Sequence, residues 1–562
     1  MFERRASRET WLFWIVAVLV IGAGLGLRDP WPADEPRFAL VARQMVESGD
    51  WLFPHRGTEL YSDKPPMLMW LQAAGYTVLH QWRVAFLLPS LLAALGTLWC
   101  VVDLGRRLWT RRVGLYAGWA LLAALQFTYQ AKKAQIDPLV TFWITLANYG
   151  LLRHFLSTRH DPAPDWRMWM LGWAAAGLGT ITKGVGVLAL AMLLPALFAS
   201  LHGWHGVRAP LRDARVLLGP LAFAAAAALW LVPMLAASLG HADPAYRAYV
   251  DDILFHQTAG RYARSWDHPQ PPWYHLGVML GLWLPPLLAL PWALPAWARR
   301  LRRRDARYLL PLAWWALVVV FFSIPSGKRD VYIMPALPMA CLALAPLLPG
   351  IVRRRGAQWL AFAFGAGLVL AALGVGVSML AGTPKFERTL VVERGLSLAQ
   401  AHAGAWLLVA IAAWGIGCLL WFGRRHAPRA VVALLAGLWV LYGVVAYPLL
   451  NDSSSARGLM AEAGRRIGPQ AELGLVAWKE QNLLMADRPA ATFGFVAPWP
   501  EQFARAVAWQ ARVPQRRWLM VQDAALPACV DRARAQLLGL ANRRGWWLLP
   551  AAAAAACGEV PR

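Results

Sequence analysis

Short polar motifs in an otherwise apolar chain carry the residue types that chemistry needs: Asp34-Glu35-Pro36-Arg37, Asp63-Lys64-Pro65-Pro66, Asp137-Pro138, Lys183-Gly184, His256 with Arg261, and Lys328-Arg329. A carboxylate held against aromatic surface and cations can act as a general base or stabilise a developing positive charge, which makes Asp34 and Asp137 the candidate catalytic carboxylates. The competing structural reading is a helix end, since Asp137 suits an N-cap with Pro138 at the first helical position. Several cations gathered on one surface suit an anion, and Lys or Arg is the usual partner of phosphate. Arg37, Lys64, Lys183, Arg261 and Lys328 are the cations in question. For any one of them the plain alternative is a side chain snorkelling to lipid headgroups. Lys64 stands apart because the prolines that follow it restrict its backbone. Asp63 and His256 are candidate ligands of a shared metal ion, set against the ordinary reading of His256 as a hydrogen-bonded loop residue.

The elements that must position these groups follow from composition. The 562 residues are 58% hydrophobic and only 15% charged, with 33 Trp, and the mean hydropathy is +0.40. These values belong to a membrane protein rather than a soluble domain. Runs long enough to cross, or nearly cross, ~30 Å of hydrocarbon make about 13 predicted helices. They lie at residues 11–27, 84–104, 113–130, 138–156, 167–182, 184–203, 216–240, 273–297, 308–325, 331–350, 357–381, 402–422 and 430–450. The first follows Arg4, Arg5 and Arg8 and reads as an uncleaved signal-anchor. Arginine-rich connectors at 106–112, 299–304, 353–355 and 424–429 fall on one side, which marks that side and the N-terminus as cytoplasmic. The net charge of +25 is therefore a topology signal with anionic lipid as its partner. No nucleic-acid motif accompanies it.

This topology puts the chemistry-bearing loops on the outer face. Residues 1–450 form the membrane domain, with outer loops at 28–83 and 239–272, and residues 451–562 form an outer C-terminal domain. In the first loop, 37–48 and 67–80 read as amphipathic helices lying flat among lipid headgroups. In the tail, Asp452-Ser453-Ser454-Ser455 reads as a hinge, 473–477 and 517–521 as buried strands, 531–544 as a helix and Ala551–Ala556 as a surface tract. Cys529 and Cys557 lie in this polar segment, where an oxidising side would permit a disulfide. Ionisable residues are nearly absent from the spans themselves, which weighs against a proton-coupled transporter.

Seven of these features in order resemble the membrane glycosyltransferases of the GT-C type that use polyprenyl-phosphate sugars, specifically the family of the lipid A 4-amino-4-deoxy-L-arabinose transferase, related to protein O-mannosyltransferases. They are Asp34-Glu35-Pro36-Arg37, Gly49-Asp50-Trp51, Asp63-Lys64-Pro65-Pro66, Asp137-Pro138, Lys183-Gly184, His256 with Arg261, and Lys328 with Tyr332. The resemblance implies a polytopic helical fold with juxtamembrane helices and a small C-terminal α/β domain. It implies Asp34 as the principal catalytic carboxylate and Asp137 as a second acid in the same cavity. Lys64, Arg261 and Tyr332, with Arg37, Lys183 and Lys328, would hold the carrier phosphate, and Asp63 and His256 a zinc ion. The family's usual acid before that lysine is Glu, and Asp63 is one methylene shorter.

The expected activity is pentosyl or hexosyl transfer from undecaprenyl phosphate, with 4-amino-4-deoxy-L-arabinose as one candidate sugar. The acceptor would be lipid A or another envelope glycan or protein, at the periplasmic face of a bacterial inner membrane. The rival is a lipid-linked sugar flippase, in which the cationic vestibule only receives substrate.

Overall fold

In hydrocarbon every backbone N–H and C=O must be satisfied by the protein itself, and a helix does so within one segment. The computed structural model, which describes residues 2–159, 162–208, 213–255, 268–382 and 388–557, is accordingly dominated by helices, and each of the expected apolar runs is helical. Among the described residues seven helices are long and apolar enough to cross a membrane. The pair Tyr274–Leu282 and Pro286–Arg302, bent by 96°, makes an eighth. The count of about 13 is thus not reproduced by this measure, because several runs are divided. Run 113–130 breaks at Ala124 into Arg111–Ala123 and Leu125–Ala131. Run 331–350 becomes a 3-10 segment, Asp330–Ala336, followed by Leu337–Leu344 and Leu348–Ile351. At the 96° bend, Pro285 and Pro286 lack the N–H groups that a continuous helix would use.

The first helix, α1 (Phe2–Gly22), leads into the loop that carries the first two motifs. Its end crosses the last span closely: a Cβ on Gly24, whose φ is +88°, would come within 2.5 Å of the Gly443 carbonyl oxygen. Only glycine meets both demands. The helix α2 (Glu35–Ser48) then stops at Gly49 in the left-handed conformation. α2 does not lie on lipid as its pattern suggested. Phe38, Val41, Ala42 and Met45 pack with Leu68 and Met69 of α3 (Met67–Leu79) and with Ile136 and Trp230. Its neighbouring face, Ala39 and Leu40, packs with Met460, Trp478 and Leu484 of the tail. The apolar side of α2 is thus taken by protein, and its Arg43 and Glu47 side remains open. α3 does expose Leu71, Val78 and Leu79, as a membrane-facing helix should. Between the two helices, β1 (His55–Arg56) and β2 (Glu59–Leu60) pair antiparallel around Gly57.

The tail is a five-stranded sheet in the order β4-β3-β5-β7-β6. The predicted strands are present as β3 (Glu472–Val476) and β5 (Arg517–Gln522), parallel to each other, with β4 (Ala490–Thr492) parallel on the far side of β3. Two expectations fail. The region 531–544 is not a helix: β6 (Gln536–Ala541) pairs antiparallel with β7 (Arg544–Leu549), with a register shift between Leu537 and Gly539. The tight turn uses Asn542 and Arg543, both at positive φ. Residues 452–455 are not a hinge, because helix Tyr447–Ser455 continues the last span through them. The alanine tract begins with a helical turn, Ala551–Ala554, in which Ala553 and Ala554 are buried.

The sheet domain is fastened to the first loop by Asp29. Its carboxylate takes paired bonds from Arg83 and from Arg457 and a further one from Asn451 Nδ2 at 2.8 Å. Burial alone would raise the Asp29 pKa, and these donors reverse that and hold it well below the usual carboxylate range.

Candidate active site

Asp34 sits where α2 begins, and its side chain makes no capping bond to the helix. It is turned instead to cations from distant elements. Oδ1 accepts from Arg37 Nη2 one turn on, Oδ2 accepts from Arg329 Nη2 at 3.0 Å, and Gln135 Nε2 lies 3.4 Å from Oδ2. Burial pushes the Asp34 carboxyl upward, but Arg37, Arg329 and, more weakly, Lys183 outweigh it, so its pKa is lowered and it is ionised near neutrality. The adjacent Glu35 is spent on structure. It is buried, takes both terminal nitrogens of Arg28, and accepts the Trp31 N–H at 2.8 Å and the Ala134 N–H at 2.9 Å. That fixes the chain on either side of Asp34 and also the approach to Asp137.

Asp137 lies inside the first turn of helix Ile136–Phe155, with Gln135 rather than Asp137 at the cap. Its carboxylate pairs with Lys183 Nζ at 2.6 Å, and its side chain is only 8% exposed. Lys183 precedes the 3-10 segment Gly184–Met192, in extended backbone that carries its amine to Asp137. The same amine lies 5.0 Å from the centre of the Tyr332 ring. Arg329 joins the two acids, since Asp34 and Asp137 both stabilise its charge against burial. Lys328, one residue earlier, turns away. It is buried and donates to the carbonyls of Gln270 and Pro325, tying two loops together.

Asp63 and Lys64 adjoin this group through Arg37, whose Nη1 lies 3.5 Å from Asp63 Oδ2. Lys64 Nζ donates to the Asp63 carbonyl at 2.7 Å. Arg56 stands 3.7 Å from the Asp63 carboxylate on another side. Two guanidiniums at one carboxylate oppose the approach of a dication, and among the described residues no three His, Cys, Asp or Glu side chains gather as a metal set. His256 and Arg261 lie outside the described residues.

The structure thus brings together Asp34, Arg37, Asp63, Lys64, Asp137, Lys183 and Tyr332, drawn from five separate stretches of chain, and leaves Lys328 in a structural role. Of the Lys328-Arg329 motif the sequence reading chose Lys328 for the site, whereas it is Arg329 that meets Asp34. Sequence alone does not say which of two adjacent cations faces a distant carboxylate. An ionised carboxylate among guanidinium and ammonium groups can neutralise an anion while presenting negative charge to an electron-deficient carbon.

Comparison with known proteins bears on what such a charged group does. Residues 63–232 match the family model described as dolichyl-phosphate-mannose-protein mannosyltransferase. The undecaprenyl phosphate-alpha-4-amino-4-deoxy-L-arabinose arabinosyl transferase of Pectobacterium carotovorum subsp. carotovorum (strain PC1) is 33% identical over 366 residues, 62% of this chain and 62% of the relative. The chain thus spans under two thirds of that protein's length. The enzyme of the same name from Pseudomonas aeruginosa (strain UCBPP-PA14) is 31% identical over 471 residues, 79% of this chain and 77% of the relative. Among solved structures, ArnT from Cupriavidus metallidurans bound to undecaprenyl phosphate superposes with a TM-score of 0.73 at 20% identity, covering 96% of this chain and 97% of that one. Its apo form gives 0.71, again at 20% identity, with 98% and 99% covered. At that identity the likeness is one of fold.

Proposed function

The chain belongs to the family of the undecaprenyl phosphate-alpha-4-amino-4-deoxy-L-arabinose arabinosyl transferases, and from that premise we propose that it is a membrane glycosyltransferase moving a sugar from undecaprenyl phosphate to an envelope acceptor such as lipid A. The site faces the periplasm of a bacterial inner membrane in this reading. The Cys529–Cys557 disulfide supports that side, because such bonds persist in oxidising compartments. The aminoarabinose named in the relatives is the first sugar to test.

What carries the reading is Asp34, ionised and held between Arg37 and Arg329, with the Lys183–Asp137 pair joined to it through Arg329. In the reaction the bond from the anomeric carbon to the carrier phosphate breaks and one from that carbon to an acceptor oxygen forms. The carrier leaves as undecaprenyl phosphate with one more negative charge on its phosphate. Arg37, Lys64 and Lys183 are the groups that would neutralise it, with the Tyr332 hydroxyl as a hydrogen-bond donor, and stabilising charge on a leaving group is commonly the largest catalytic contribution. The lowered pKa makes Asp34 a weak base but a strong electrostatic partner for a positively charged anomeric centre. An acceptor that is itself a phosphate is already ionised and has no proton to surrender. Zinc, which the family resemblance implies, would add Lewis acidity if Asp63 and His256 held it, and no step here runs through it.

The test is reconstitution of the purified protein in liposomes with a carrier-linked sugar and lipid A. Sugar found by mass spectrometry on the acceptor supports transfer. Intact carrier appearing in the opposite leaflet with no modified acceptor supports the flippase reading instead.

A further inference from the structure

The hairpin β1–β2 lies directly before Asp63 and Lys64, and it is gripped by the sheet domain. Glu59 accepts the N–H groups of Phe495 at 2.9 Å and Val496 at 3.3 Å. Arg56, across the hairpin, faces both ways. Its Nη1 stands 3.7 Å from Asp63 and 3.8 Å from Glu480, and its guanidinium lies 3.8 Å from the centre of the Phe495 ring. The Arg56 and Glu480 side chains are each 11% exposed, so this pair is not the loosely screened surface contact whose worth is near zero. Glu480 also lies close enough to Arg37 to stabilise its charge. A carboxylate of the C-terminal domain thus reaches the cation that holds Asp34.

We propose that Arg56 and Glu480 are positioning residues: they form a clasp through which the C-terminal sheet domain fixes the Asp63-Lys64 loop, and with it the cations that receive the donor phosphate. The clasp rests on the transferase reading for its catalytic meaning but not for its mechanical one. A flat guanidinium seated on the Phe495 ring with one nitrogen, Nη1, between two carboxylates constrains the loop in a way that a point charge does not. Releasing it frees the segment that leads into Lys64.

The test uses the full-length protein with Arg56→Gln, Glu480→Gln and the two combined. Hydrogen exchange of the amides in 54–66 should quicken about tenfold in each single variant, as expected when a charge-assisted contact is lost. The double variant should exchange no faster than the more affected single one, because both remove one interaction. Exchange in β3 and β5 should stay as in the wild type. The KM for the carrier-linked donor should rise about tenfold with a much smaller change in kcat. Arg56→Lys, which keeps the charge but not the flat face over Phe495, should fall between Gln and wild type in both measurements. Unchanged exchange in 54–66, or faster exchange spread through the whole sheet, overturns the clasp. Faster local exchange with an unaltered donor KM overturns its role in positioning the cations. If wild-type protein transfers no sugar, the transferase reading fails, while the exchange rates still decide whether the clasp holds the loop.

Discussion

Asp34 and Arg329 come from positions 295 residues apart and meet at 3.0 Å, and the pairing sets the protonation of the site. Removing Arg329 takes away one of the two guanidiniums that hold the Asp34 pKa down, so in Arg329→Ala that pKa rises. Because the ionised form is the one that serves the reaction, the loss of transfer on acidification should move to higher pH. A pH–rate profile checks this, and Arg329→Lys should restore most of the wild-type acid limb. The residues also mark where sequence stops being legible. Asp34, Lys64, Asp137 and Lys183 could be singled out from their motifs, since each sits close to a proline or glycine at the end of an apolar run. Lys328 and Arg329 could not be told apart, because in extended backbone successive side chains point to opposite sides and only the three-dimensional packing says which side faces Asp34. Arg56 and Glu480 carried no local signal, since their meaning lies in a contact between segments more than 400 residues apart.

At the scale of elements, the spans were read from hydropathy because the bilayer imposes one rule on every segment. The misread segments are those in which tertiary pairing overrides local pattern. α2 has the composition of a headgroup helix, yet the C-terminal domain covers the face that lipid would have taken. The stretch 536–541 contains helix-forming Gln, Leu and Ala, but pairing with the aromatic strand β7 and the kink at Gly539 make it a strand. The Asp29 junction locks these elements to one another. Asp29→Asn keeps the shape and loses the charge that Arg83 and Arg457 share. Stability should fall by about 2 kcal/mol, less than for a fully buried network because both arginines are nearly half exposed. Thermal unfolding in detergent measures this. The contribution is present above the ordinary carboxylate pKa of about 4 and fades as pH drops below it, so wild type and variant should converge in acid.

For the whole molecule, apolar helices, a first loop packed on them and a sheet domain packed on that loop form one unit that gathers the charged groups around Asp34. The Cys529–Cys557 bond joins positions 28 residues apart in that domain. Reduction, or Cys557→Ser, should destabilise the domain by about 3 kcal/mol, seen as earlier loss of β-sheet signal on heating while the membrane helices persist. The same bond should be found oxidised in protein from cells whose periplasm forms disulfides and reduced when that machinery is absent. The account depends most on Asp34 as the charge that makes transfer go. The rate of sugar transfer to acceptor by Asp34→Asn, measured against wild type in the same liposomes at saturating donor, tests it most directly. The account predicts a fall of at least about a hundredfold in kcat with donor binding retained; turnover by this variant at the wild-type rate would contradict it.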